Sequence, residues 1–364
     1  MSDSTDTEGS ADENAPRSDG GTSIRRTTAD RVRSLSRRQF LGLTGGSVAV
    51  LGGSRAAYNV VLGYGEFGYG TNLLEQDLDA MLTEHLNPTY NEAIGNHQLR
   101  LGSSGLQLIV SDVQYTVPFP PAEDRERGES IAEQLDSTYG LDGRLPALYA
   151  DLVSVSQGDF RFEFSQPEPF FERVADGSYR PDVVAALRGS AYDRSVDPAL
   201  VGEFTDADPA DPESLVYGLK SAFRAYSRYD VPRYIAGSIE DNVIFGVTDL
   251  RQYFEDDVSF EALLSADETG MFCWEYVFRS MEALQALPPW EQTIPVATFY
   301  ISDRRHKHAF TGIITAIEDD GLCFPTTFVD YTYSTLYDDF RLRGVLGDGL
   351  AAYDSRHRAD EIYW

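Results

Sequence analysis

Cysteine is scarce in this chain: 364 residues hold two, Cys273 and Cys323. So few thiols exclude a disulfide-dense scaffold and any cysteine-rich zinc site, while leaving open one bridge between the pair if the chain is exported. Lysine is as scarce. Of thirty basic residues only Lys220 and Lys307 are lysine, against fifty-nine acids, and the net charge is −29. That imbalance argues against nucleic-acid binding, which needs basic patches to neutralise phosphates. Residues 118–215 contain no glycine-rich phosphate loop and no metal-ligand spacing, and nothing elsewhere in the sequence implies a metal or organic cofactor. The apolar run near the N-terminus, Phe40 to Gly53, is too short to span a bilayer.

What is present describes a folded chain, with 42% hydrophobic residues, 21 tyrosines and 20 phenylalanines. Its length suits two ordinary domains or one large one. An acidic, lysine-poor surface is what selection for solubility in concentrated salt leaves. At about 1 M salt the screening length is only ~3 Å, so self-repulsion costs little. The composition resembles that of halophilic archaeal proteins. Acid runs such as "EFTDADPADPE" and "YFEDD" therefore read as solvated faces without chemistry.

The N-terminus reads as an address. Residues 1–24 are polar, acidic and rich in glycine and serine. A basic stretch follows, and then Arg37-Arg38 precedes Gln39-Phe40-Leu41 and the weakly apolar run. This order resembles the twin-arginine export signal. Ser54 and Ala56 offer small residues for cleavage after Ala56, and an uncleaved run through "AAYNVVLGYG" would tether the protein to the membrane. The resemblance implies export of an already folded protein to the cell surface or beyond, with the Tat translocase as a transient partner.

Beyond the leader of residues 1–56, residues 57–212 read as an accessory region of undefined role. Asn72 to Ala93 is helical in pattern with a break at Pro88, and "HQLRLGSSGLQLIVSDVQYTV" suggests two strands about a Gly-Ser turn. Residues 118–215 read as loop-heavy, with short helices over 130–135, 146–153 and 181–187. Residues 213–364 change character. Aromatic-rich helical patterns, "ESLVYGLKSAFRAYSRY" and "RYIAGSIEDNVIFGV", precede "TGMFCWEYVFRSMEAL" and three strand-like runs, "PVATFYIS", "AFTGIITAI" and "LCFPTTFVDYTY". Helices followed by antiparallel strands define an α+β layout.

Cys273 opens one of these helices, with Gly270 as a flexible approach, Thr269 able to cap, and Val277, Met281 and Leu284 following at helical spacing. It reads either as a small hydrophobe atop a core stripe, as half of a bridge to Cys323, or as a nucleophile at a helix N-terminus, where the dipole favours a thiolate. His308 and Asp330 follow at spacings of 35 and 22 residues. A thiolate nucleophile needs a base for its proton, and the base needs a carboxylate to fix its tautomer. His306 is a weaker rival for the base, set among Arg304, Arg305 and Lys307, whose charges suit either an acidic substrate group or the protein's own carboxylates. His85, His97 and His357 read as structural or surface residues.

"GMFCWEYVF", then "HAF", then "VDYT" resembles the transglutaminase-like cysteine superfamily over roughly residues 213–335. Cys273, His308 and Asp330 fall on its three catalytic positions in order. Trp274 and Phe310 occupy its aromatic positions, although Phe310 stands where tryptophan is commoner and Tyr331 where proline is frequent. The resemblance implies a papain-like core of helices packed on an antiparallel sheet. It also implies acyl transfer at an amide of a peptide or protein substrate, with hydrolysis preferred over transfer to an amine. The Cys273 backbone N–H, with Gln252 or Asn242, would supply the oxyanion donors. The contrasting reading is a non-catalytic cell-surface or membrane-tethered binding protein that keeps this fold.

Overall fold

The computed structural model describes residues 73, 76–119, 125–188, 196–230, 233, 236, 256–265, 269–304, 308–332 and 358–364. The leader, Asn242, Gln252, Arg305, His306, Lys307, His357 and nearly all of "RYIAGSIEDNVIFGV" lie outside the described residues.

The expected helix over 72–93 is confined to α1 (Asp79–His85), and the chain beyond Pro88 turns extended. Four strands then pair antiparallel in sequence order: β1 (Asn91–Ile94), β2 (His97–Gly102), β3 (Gly105–Val110) and β4 (Val113–Pro118). Two strands were expected where β2, β3 and β4 lie. The second hairpin turns at Ser111 and Asp112, whose φ values are +46° and +70°. Tight hairpins require such left-handed residues, but glycine or asparagine usually marks them, so Ser-Asp carries little signal.

The stretch expected to be loop-heavy is instead largely helical. It contains α2 (Arg125–Tyr139), α3 (Arg144–Gln157), β5 (Phe160–Phe164), α4 (Pro167–Val174), β6 (Ser178–Tyr179), α5 (Pro181–Leu187) and α6 (Pro198–Thr205). Pro167, Pro181 and Pro198 each open a helix, where the missing N–H costs nothing and the fixed φ is already helical. These prolines mark starts rather than breaks. Within the acid runs, Asp211 caps α7 (Pro212–Tyr226), accepting from the N–H groups of Glu213 at 3.2 Å and Ser214 at 3.4 Å.

The chain continues through β7 (Ser227–Tyr229), α8 (Phe260–Ser265), β8 (Thr269–Met271) and α9 (Cys273–Leu284). It then enters β9 (Ala297–Asp303), β10 (His308–Ile314), β11 (Ile317–Glu318) and β12 (Leu322–Val329), and ends in β13 (Glu361–Tyr363). The main sheet runs β13-β9-β10-β12-β11-β6, with β5 parallel to β12. Leu322 pairs with both Glu318 and Phe160, so β10 and then β11 follow one edge of β12 while β5 lines the other. The fold is α+β, with the sheet mostly antiparallel. Two of its strands, β5 and β6, come from residues 57–212, so the sheet runs across the expected boundary after residue 212.

β10 and β12 are buried along their whole lengths because both faces of the sheet are covered. On one face Phe299, Ile301, Phe310, Phe324 and Phe328 join a core with the β1–β4 sheet and α3 and α5. On the other, Ile313 and Val329 pack with residues of α4, α6, α7, α8 and α9. Arg188, just after α5, is 2% exposed and donates to the carbonyls of Val296 at 2.9 Å and Leu287 at 2.5 Å and to Gln292 Oε1 at 2.6 Å. This ties the helix to the approach of β9.

Candidate active site

Sheet register and one helix assemble the site. Thr311 of β10 faces Val329 of β12, so one further step sets Asp330 opposite Phe310, two residues from His308. Diagonal neighbours of this kind are within side-chain reach. The His308 Nε2 and Asp330 Oδ2 atoms lie 2.6 Å apart, and both residues are 3% exposed. Asp330 also accepts from the Thr332 N–H at 3.1 Å, which fixes the carboxylate. Phe310 meets His308 edge-on, with ring centroids 4.7 Å apart.

α9 supplies the thiol. Cys273, Val277 and Met281 form one stripe, spaced four residues apart, against Ala309 of β10. The Ser280 and Thr311 hydroxyls hydrogen-bond at 2.7 Å beneath that contact. Packing this stripe beside Ala309 places Cys273, the first residue of the helix, next to His308. Its backbone N–H lies in the first turn, where the helix offers no i−4 acceptor. Cys273 is 8% exposed. Both cysteines are free, so the bridge left open by the sequence does not form.

The approach to the helix differs from the expected cap. Thr269 and Gly270 lie in β8, which pairs in parallel with β7. Phe272 is the N-cap residue, and the Glu275 carboxylate reaches back to accept from its N–H at 2.6 Å, performing one half of a capping box. Gly270 is required for close approach rather than flexibility, because a Cβ there would lie 2.7 Å from Asp230 Cγ.

The electrostatics favour a charged imidazole. Burial works against a charged His308. The Asp330 carboxylate, by charge and hydrogen bond, with a smaller contribution from the neighbouring Cys273, outweighs it and carries the ring up to about 10. With Nε2 directed to Asp330, the ring nitrogen left to exchange a proton with the thiol is Nδ1. The arrangement can hold a proton on His308 beside the Cys273 sulfur and deliver it to a leaving group. Among the described residues, no cluster of three or more His, Cys, Asp or Glu side chains could hold a metal ion.

The other predicted residues fall elsewhere. Trp274, beside Cys273, is 37% exposed and packs edge-on against Phe278. Arg304 pairs with Glu361, one of the protein's own carboxylates, and its N–H donates to Asp360 Oδ2 at 2.9 Å. His97 packs against Tyr139, and His85 ends α1. Cys323 sits inside β12 near Glu163, where burial first and that carboxylate second push its thiol up to about 12. Sequence reasoning missed Arg233 and Asp230 below α9. Glu275, three residues after Phe272, carried a local signal, whereas Arg233 lies 42 residues away and carried none.

Comparisons with protein-family models, with curated proteins and with solved structures found no match. Among the described residues, no helix is long and apolar enough to cross a membrane.

Proposed function

We propose that this chain is an exported cysteine peptidase or amidase with a transglutaminase-like core. The observation that carries the reading is the position of His308, 2.6 Å from Asp330 and beside Cys273, the first residue of α9, on the strand against which that helix packs. In this reading the Cys273 thiolate attacks a substrate carbonyl, a carbon–sulfur bond forms, and the Cys273 backbone N–H steadies the oxyanion. The carbon–nitrogen bond then breaks, and the amine leaves with the proton held on His308 Nδ1. Water, deprotonated by the same nitrogen, attacks the thioester, releases the carboxylic acid and restores the thiol. Asp330 orients the ring and balances its charge throughout. No metal or organic cofactor enters this chemistry. The paired arginines at positions 37 and 38 support export of the folded protein through the Tat pathway, and an uncleaved leader would tether it to the membrane.

The test is mass spectrometry of the protein with a pooled peptide library in concentrated salt. Cleavage passing through an acyl adduct on Cys273, and lost in Cys273→Ala, is expected. Incorporation of an added primary amine in place of water would redirect the reading to transglutamination. No turnover and no adduct would remove it. The burial of the triad favours the second reading, a surface binding protein that keeps the fold, because Cys273 leaves only 8% of its surface to a substrate. Under that reading Cys273→Ala leaves the protein's interactions intact.

A further inference from the structure

Beneath the first turn of α9 lies a buried ion pair. Arg233 Nη1 meets Glu275 Oε1 at 2.7 Å, with side chains 5% and 2% exposed. The other Glu275 oxygen accepts from the Phe272 N–H at 2.6 Å. The Arg233 guanidinium lies 4.6 Å from the Phe272 ring centroid and 5.7 Å from that of Trp274. It therefore touches the residues on both sides of Cys273. The Arg233 backbone N–H donates to Asp230 Oδ1 at 2.9 Å, and the Asp230 backbone N–H donates to the Met271 carbonyl at 3.0 Å. Every residue from Met271 to Glu275 except Cys273 is thereby held by this network.

Removing two charges from water is costly, and a well-packed apolar pair often serves stability as well. A buried pair at this position calls for a reason other than stability. Glu275 alone would satisfy the helix start but place a full negative charge beside the sulfur, opposing a thiolate. Burial raises Glu275, while Arg233 and the Phe272 N–H pull the other way and favour the charged form.

We propose that Arg233 and Glu275 are positioning residues for the nucleophile: Glu275 fixes the turn that presents Cys273, and Arg233 cancels the charge this brings to the sulfur. The inference rests on the triad reading and deepens it. Charged or titratable groups near the first turn of α9 come from each neighbouring element: His308 from β10, Tyr300 from β9, Asp330 after β12, Glu275 on α9, Asp230 and Arg233 after β7, and Asp256, whose Oδ2 lies 3.5 Å from the Gly270 N–H. Of these, Arg233 and Glu275 can be altered without touching the triad.

The experiment measures iodoacetamide alkylation of Cys273 in concentrated salt, in a Cys323→Ser background, at pH 6 and, for the ratio, at pH 4 and at pH 9, because a thiolate already formed at pH 6 leaves no room for a ratio to rise. The ratio of the rate at pH 4 to that at pH 9 reports the charge environment and is insensitive to global stability, which is followed separately by thermal unfolding. Arg233→Met should lower the ratio about tenfold or more, as an unbalanced charge within a helical turn does at an effective dielectric near 20. Glu275→Gln, which keeps an acceptor for Phe272, should raise it. The double variant should return toward the starting value. Ratios that move in the same direction in both single variants, or in neither, would overturn the proposal. If Arg233→Met does not fold, Glu275→Gln decides alone: a raised ratio supports the role and an unchanged or lowered one refutes it. A Cys273 unreactive at pH 6 in the unaltered protein would instead refute the triad reading on which the proposal stands.

Discussion

Asp330→Asn keeps the size of the side chain and a hydrogen-bonding oxygen while removing the charge that holds His308. The imidazole is raised from 6.5 to about 10 against the effect of its own burial. At 1.36 kcal/mol per unit, the charged ring is favoured by about 5 kcal/mol, shared between Asp330 and Cys273. Losing the Asp330 share should lower the His308 midpoint by on the order of two units or more, since desolvation then acts with less opposition. Long-range proton–nitrogen NMR of the imidazole, followed from pH 5 to 11 in concentrated salt, reads this directly. The linked stability has a definite sign. A folded-state value above the unfolded one stabilises fully below about 6.5, and that stabilisation is lost as pH rises toward about 10. The stability deficit of the variant should thus be largest near pH 6 and close toward pH 10. A ring that titrates near 6.5 in the unaltered protein, or one unmoved by Asp330→Asn, would refute the reasoning.

Other outcomes follow from single contacts. Cys323, pushed up to about 12, should resist alkylation in the folded protein at pH 9 while Cys273 reacts; peptide mapping separates the two. Asp151 is an acid raised by burial to about 6, so the unfolded chain, at 3.8, gives up this proton first as pH rises. Stability therefore falls between those values, and Asp151→Asn should raise the melting temperature at pH 8 but not at pH 3.5. Gly312→Ala would bring a Cβ within 2.3 Å of the Phe299 ring and should cost about 1–3 kcal/mol in denaturant unfolding.

Much of the site was legible because its order is local. Cys273 begins a helix, His308 begins a strand and Asp330 follows the end of one, and each position left a mark in its own segment. The α+β layout was legible from the same periodicities. What sequence could not provide was anything set by distant pairing. β5 joins β12 in parallel across more than 150 residues, and the FRFEF pattern of β5 has no neighbour in sequence to reveal its partner. The helices over 125–205 were under-read because Pro167, Pro181 and Pro198 break chains in general but begin helices when they stand at the first position. The Ser111–Asp112 turn was missed because its left-handed residues are not the usual ones. Arg233 was invisible for the plainest reason: its partner is 42 residues away, and an arginine in an acidic chain looks like any other surface charge.

The central claim is that Cys273 is a nucleophile made reactive by His308. Its most direct test is the alkylation rate of Cys273 at pH 6 in concentrated salt, where an ordinary thiol of pKa about 8.5 is almost fully protonated. The account predicts rapid modification confined to Cys273 that falls at least tenfold in His308→Ala, with folding verified by circular dichroism. Modification as slow as that of a free thiol at this pH, or a rate indifferent to His308→Ala, would contradict it.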